Sequence, residues 1–497
     1  MKLNSLDGLV VILVVWIAYL LGRKKSPADN YADFCLARRS LNDWNFLAAF
    51  FGANLVFTAI FIIISHEAAR RGWWALSIPI AFVCGVLVLA GLYKRLEPDF
   101  ANGITLHGAF ERAFASPALR KWCALWTIVA FVGLVSIEFY GAILLLKWIG
   151  LPFLWTGTIG ILLAAICTAF TMSGGLRGVT RADVCLDVAS LVGVGLFFYA
   201  LYSSPPSAPL VASQPPHQIL PPPTLEENIL FTVAAFLIFT PMPICALDTW
   251  QRGVAWKRTG SSVKSFLTLG ALAILGVSCV AIYAGFFAIK HGWSPTVIGS
   301  ETFRFVLAEL RVESWWPCFR GLIVAGFLAA VLSTADELLN CSAYSILSDC
   351  FRLSPEGSTE AKAKGVQSVK FYTAAFGFVA VLLALGYGLL EQHGLLGIPD
   401  IFNVVGGAQV VFFVPLLIAI FSRNSQKFAK TAKWSMLLSF VVAFLCAIIG
   451  ALSNGTKDGR ELLEAAPIYA FLASLLVWAV AWVSFWIRGK QGKLAGV

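Results

Sequence analysis

Thirteen apolar runs, each long enough to cross a bilayer, set the terms on which this chain can fold. They fall near 7–22, 43–66, 73–94, 120–148, 150–171, 182–203, 226–247, 262–289, 318–349, 369–391, 400–421, 433–452 and 466–487. Hydrocarbon offers no water to backbone N–H and C=O groups, so each run predicts a helix and the whole predicts an all-α, multi-pass membrane protein. Composition agrees: 59% of the 497 residues are hydrophobic, 13% are charged and mean hydropathy is +0.80. The net charge of +10 rests on Lys and Arg in short loops. That pattern speaks for orientation in a lipid bilayer and against a nucleic-acid partner. Most of these cations fall on one set of alternate loops, which predicts an external N terminus, a cytoplasmic C terminus and residence in the plasma membrane. Residues 1–22 read as a retained first span, because Arg23-Lys24-Lys25 follows without a small-residue cleavage pattern. The 11 cysteines are scattered, with neither metal-ligand spacing nor a disulfide framework.

Polar residues inside these runs carry the functional information. Ser333-Thr334-Ala335-Asp336-Glu337 lies within the run 318–349. Hydroxyls and carboxylates at that depth are costly and mark an ion or substrate pathway, unless a helix end there puts them in water. Glu138, inside 132–146, is the other deep carboxylate and reads as a proton carrier or substrate contact. Asp336 is a second candidate for that role.

Two runs also contain breaks. Gly52-Ala53-Asn54 interrupts the second, and Pro241 and Pro243 flank Met242 in the seventh. The runs are five apart and so point in opposite directions. Matching breaks in opposed halves predict an inverted-repeat transporter with its site at mid-membrane; the alternative is two ordinary kinks. The proline-rich stretch 204–225, free of Lys and Arg, reads as an external linker, and 300–310 as a short amphipathic surface helix. Asn454-Gly455-Thr456 forms a glycosylation triplet.

Several stretches, in order along the chain, resemble the sodium/solute symporter family, which includes sodium-coupled sugar, proline, iodide and sialic-acid carriers. They are Tyr31 to Leu41, Gly52-Ala53-Asn54-Leu55, Gly174-Gly175-Leu176-Arg177-Gly178 through Asp183, and Trp250-Gln251-Arg252 with Ala255 and Lys257. Ser333-Thr334-Ala335-Asp336 through Ser348-Asp349, and Gly406-Gly407 with Pro415, complete the set. The resemblance covers roughly 28–425. It implies a ten-helix core of two inverted five-helix repeats, of the leucine-transporter type, with one helix added before and two after. The expected divisions are 1–42 (first span and loop), 43–203 (repeat 1), 204–225 (linker), 226–421 (repeat 2) and 422–497 (two last spans and tail).

The resemblance also implies a sodium site built from the carbonyls of Gly52, Leu55 and Ala330 and the hydroxyls of Ser333 and Thr334. Positions 330, 333 and 334 share one helical face. Asp183 matches a family aspartate near the inner exit of the ion, which in some members helps bind a second sodium. It also suits a plain helix N-terminal carboxylate. Asp336 and Glu337 are expected one turn below, steering the ion or pairing with Arg181 or Arg177.

Asn54, Phe239, Thr240 and Met242 mark the substrate region. The last three stand where sugar carriers have polar and tyrosine contacts, which disfavours sugar. His66, Glu67, Arg70 and Arg71 replace a glycine-rich family stretch and are a candidate contact for an anionic solute, or a solvated loop. Phosphate loops of Walker type, HExxH motifs and Ser/His/Asp sets in plausible context are absent, so no enzyme is expected and no cofactor beyond the coupling ion Na+. The sequence therefore predicts sodium-coupled import of a small organic solute by alternating access. Proton coupling and a solute sensor without flux are the rivals, and the oligomeric state is left open.

Overall fold

The computed structural model describes residues 4–24, 28, 30–204, 222–256, 263–295, 300–310, 318–353, 358–393, 397–422, 425–453 and 457–494. Most of the proline-rich linker, Lys257 and the Asn454 triplet lie outside them. The described residues contain helices and no strand; one isolated bridge joins Leu41 to Trp256.

The long helices are α1 (Ser5–Gly22), α2 (Asp43–Asn54), α3 (Ser77–Ala101), α4 (Pro117–Trp148) and α5 (Phe153–Ser203). After the linker come α6 (Leu225–Phe239), α7 (Leu247–Ala255), α8 (Val263–Lys290), α9 (Phe319–Ser345) and α10 (Thr359–Gln392). The chain closes with α11 (Ile398–Val410), α12 (Phe413–Phe421), α13 (Ala429–Leu452) and α14 (Lys457–Leu494). Among the described residues, ten helical segments are long and apolar enough to cross a membrane. Two of them, Thr58–Phe100 and Trp155–Ser203, run 43 and 49 residues and turn back within their length. Gly72 makes the first turn at φ +62 and Gly175 the second at φ +57, a region that side chains with a Cβ disfavour. The run 400–421 is divided between α11 and α12, so helix accounts for all thirteen predicted runs. The surface helix expected at 300–310 forms over Ser300–Glu309.

Close backbone packing explains much of the glycine-rich stretch at 174–178. A Cβ on Gly174 or Gly178 would strike the Gly22 carbonyl at the end of α1, and one on Gly175 would lie 2.9 Å from the Phe34 ring. Asp7 fastens the other end of α1. It completes a capping box with Asn4 and accepts from the Gly321 N–H at the start of α9, 2.8 Å away.

Helix α9 is the axis of the bundle. The span containing it is 94% buried, against 22% for α1 and 17% for the last span, whose exposed leucines and aromatics face outward as a lipid-facing surface must. It crosses α5 where Gly193 meets Gly326; a Cβ on either would stand 2.7 Å from the other's Cα. Ser190 adds a hydroxyl bond to the Gly326 carbonyl at 3.0 Å. Gly326→Val is therefore expected to force the two helices apart and cost about 1–3 kcal/mol. A lowered thermal unfolding midpoint in detergent would register this, and an unchanged midpoint would refute the close crossing.

Candidate functional site

The break in the second span meets the polar run of α9 at the centre of the bundle. Helix α2 stops at Asn54, Leu55 and Val56 are non-helical, and the span resumes through Phe57 into a π-wound stretch, Thr58–Ile64. The Thr334 hydroxyl donates to the Gly52 carbonyl at 3.2 Å, and the Ser333 hydroxyl donates to Asp183 Oδ1 at 3.0 Å. Asp187, one turn beyond Asp183, approaches the same point: a Cβ on Gly52 would lie 2.9 Å from its Oδ1. One carbonyl, two hydroxyls and two carboxylates thus share a space that Gly52 keeps open. This is a set of hard oxygen donors suited to a small cation. Ala330 is buried one turn earlier on the same face, and Leu55 stands at the break itself.

Charge is concentrated below these hydroxyls. Asp183, Asp336 and Glu337 are all fully buried. Both oxygens of Asp336 and both amide atoms of Asn340 are buried without a hydrogen-bond partner among the described residues. Glu337 pairs with Arg252, 3.1 Å away, which also holds Asp248 at 3.0 Å. This corrects the expected pairing with Arg177 or Arg181. Arg177 sits at the bend of α5, where it donates to the Ser40 hydroxyl at 2.8 Å, whereas α7 carries Arg252 directly against α9.

Glu138 stands where the second span restarts. Its carboxylate accepts from the N–H groups of Phe57 and Thr58 at 3.1 and 3.0 Å, and from the Thr58 hydroxyl. A helix that restarts at bilayer depth leaves its first N–H groups without partners, and Glu138 supplies the acceptor. A break at Asn54 already required such a group, and that requirement was the clue in the sequence.

Between the two breaks lies a small cavity of about 20 Å³, with room for about one water. Asn54, Phe131, Met242, Asp248, Thr334 and Leu338 are among its walls. The break in the seventh span, expected at the prolines, has its extended residue at Ala246, just before α7 (φ −77, ψ 123). Of the four residues expected in the substrate region, Asn54 and Met242 line this cavity, and Phe239 and Thr240 do not. Phe239 stacks on Phe402 at 5.9 Å, and the Thr240 hydroxyl donates to the Ala81 carbonyl at 3.2 Å. Asp187 and Asp248 were missed, although Asp183/Asp187 and Asp248/Arg252 both show i, i+4 spacing.

Packed clusters lie on either side of this centre. On the side of the Ser300–Glu309 helix, Phe57, Phe61, Phe197 and Phe303 surround Phe327 at 4.8–5.5 Å. Near the start of α6, Glu464 of α14 binds Arg70 at 2.6 Å and Arg71 at 2.7 Å, and Arg71 also binds Glu67 at 2.6 Å. These arginines are buried or nearly so and already neutralised, so they are not the contact for an anionic solute that their sequence suggested. At the opposite end of α9, Asp349 accepts from Thr105 at 2.7 Å and Arg120 at 2.9 Å, and stands 2.8 Å from His107 Nδ1.

Known proteins share this architecture. The fold is similar to that of a Na+-coupled sialic acid symporter solved substrate-bound and outward-open, with TM-score 0.73 at 15% identity over 95% of this chain and 96% of that one. It is also similar to MhsT in complex with L-phenylalanine, with TM-score 0.53 at 15% identity over 88% and 97%. Both likenesses concern the leucine-transporter type of fold. A sodium/proline symporter from Haemophilus influenzae is 26% identical over 307 residues, which span 57% of this chain and 57% of that relative. The model of the sodium:solute symporter family matches residues 34–439, most of the chain, and the chain belongs to that family.

Proposed function

We infer that the protein is a secondary active transporter of the plasma membrane, coupling inward sodium movement to import of a small organic solute. The observation that carries this is the bond from Thr334 to the Gly52 carbonyl beside the Ser333–Asp183 pair. It joins a broken helix to the central helix through the oxygens that a sodium ion needs. Gly52, Ser333 and Thr334, with the carbonyls of Leu55 and Ala330, would hold the ion. Sodium there pins α2 to α9 and favours the outward-open state. Its departure toward Asp183 and Asp187 loosens that contact and lets the inner side open.

Proton coupling through Glu138 is the weaker reading, since that carboxylate is occupied by three donors of the restarted span. The relative named for proline makes small amines and amino acids the first solutes to try. The test is uptake into proteoliposomes carrying the purified protein. Accumulation should follow an inward sodium gradient and vanish when that gradient is dissipated by a sodium ionophore. Uptake that ignores sodium and follows a proton gradient would overturn the coupling, and binding without flux under any gradient would favour a sensor.

A further inference from the structure

We propose that the residues lining the central cavity, which holds about one water as it stands, recognise a small organic ammonium once the site opens outward, with Asp248 as the counter-charge, and do not select for a carboxylate. This names the solute class of the transport site above and rests on that reading.

The first argument concerns the ends of the broken helices. A restarted half-helix at mid-membrane presents a positive N-terminus, and its free N–H groups are the usual seat for an anion. Here both such ends already carry acids. Glu138 takes the N–H groups of Phe57 and Thr58 in the second span. In the seventh, α7 has no side-chain cap at Ala246 and carries Asp248 in its first turn. An anionic solute would find the first set of donors spent and a carboxylate standing at the second.

The second argument concerns what the walls offer. The Asn54 amide donates through Nδ2 to the Phe50 carbonyl at 2.7 Å, which leaves its oxygen as an acceptor. The Thr334 hydroxyl spends its proton on Gly52, so its remaining capacity is also to accept. Asp248 accepts from Arg252 through Oδ2 and still lines the cavity. None of the lining residues is Lys, Arg or His. Arg252 is shared between Asp248 and Glu337, so one guanidinium serves two carboxyl groups in a buried place. A ligand bringing donors and a positive charge satisfies every one of these groups. Phe131, Met242 and Leu338 supply apolar surface for its carbon skeleton, and the Phe131 ring adds a face that attracts cations.

The experiment is calorimetric binding to the purified full-length protein in detergent with saturating sodium, using pyrrolidine, L-proline and cyclopentanecarboxylate. These probes share a five-membered ring and carry an ammonium, both groups, or a carboxylate alone. Pyrrolidine and L-proline should bind within about tenfold of each other, and cyclopentanecarboxylate should not bind. Asp248→Asn should weaken both amines about 10- to 100-fold, the loss of one charge-assisted contact, while sodium binding stays intact. Asp248→Glu should recover part of that loss, which a merely structural role would not give. Binding of cyclopentanecarboxylate, failure of both amines, or amine affinity unchanged in Asp248→Asn would overturn the proposal. Because binding is read without flux, failure of sodium-driven transport is seen separately, in the liposomes.

Discussion

Proteoliposomes carrying Ser333→Ala/Thr334→Ala are expected to lose sodium-driven uptake, with apparent sodium affinity falling about 100-fold or more. Each hydroxyl is a contact to a charge in a dry site, and one such contact contributes about 1.5–3 kcal/mol, so two remove at least a hundredfold. The double change also cuts the two side-chain bonds that tie α9 to Gly52 and to Asp183. Asp183 then keeps its burial and loses the Ser333 hydroxyl, which adds to the loss. Sodium titrations of uptake by variant and wild type measure the shift. Conservative Ser333→Thr should lose much less, because an oxygen remains. An unchanged sodium dependence in the double variant would mean that the ion binds elsewhere.

The second large effect belongs to Glu138→Ala. Removing the carboxylate orphans the N–H groups of Phe57 and Thr58 in the middle of the bundle. A buried donor without a partner costs about 1–3 kcal/mol, so the pair predicts about 2–6 kcal/mol of destabilisation. That is enough to lower the unfolding midpoint sharply and to deplete folded protein in the membrane. Glu138→Gln keeps one acceptor oxygen for the two Thr58 donors but turns an NH₂ toward the Phe57 N–H, so an intermediate loss is expected. The readout that separates the capping role from proton carriage is stability against flux. A Glu138→Gln protein with full thermal stability and no transport would restore the proton-carrier reading.

How legible was all this in the chain? The spans were plain, because hydrocarbon permits little besides helix and the apolar runs are long. The break at Gly52–Asn54 and the hydroxyls of Ser333 and Thr334 were also plain, since each violates its apolar surroundings at a visible cost. Partners were harder. The sequence offers Arg177 or Arg181 to Asp336 and Glu337, yet the guanidinium on Glu337 comes from Arg252, on an element whose approach depends on the second break. The capping partners of Glu138 are hidden in the sequence for a related reason. A lone deep carboxylate looks the same in sequence whether it carries a proton or answers two backbone N–H groups 80 residues upstream. The seventh span is interrupted at Thr240–Pro241, as its prolines require, but the chain becomes extended only at Ala246. The packing glycines at 193 and 326 gave no periodic signal, because their meaning lies in a crossing between distant helices.

The clasp of Glu464 on Arg70 and Arg71 bears on how the protein is made. Arg70 and its carboxylate partner are 394 positions apart. At a synthesis rate of about 5–20 residues per second, the arginines wait roughly 20–80 s for that partner to emerge. Until α14 is threaded into the bilayer, Arg71 has the Glu67 carboxylate 2.6 Å away, whereas Arg70 lacks its partner at Glu464. This face of the bundle therefore cannot set before α14 arrives, and a chain cut short of α14 would have a finished centre and an unfinished rim.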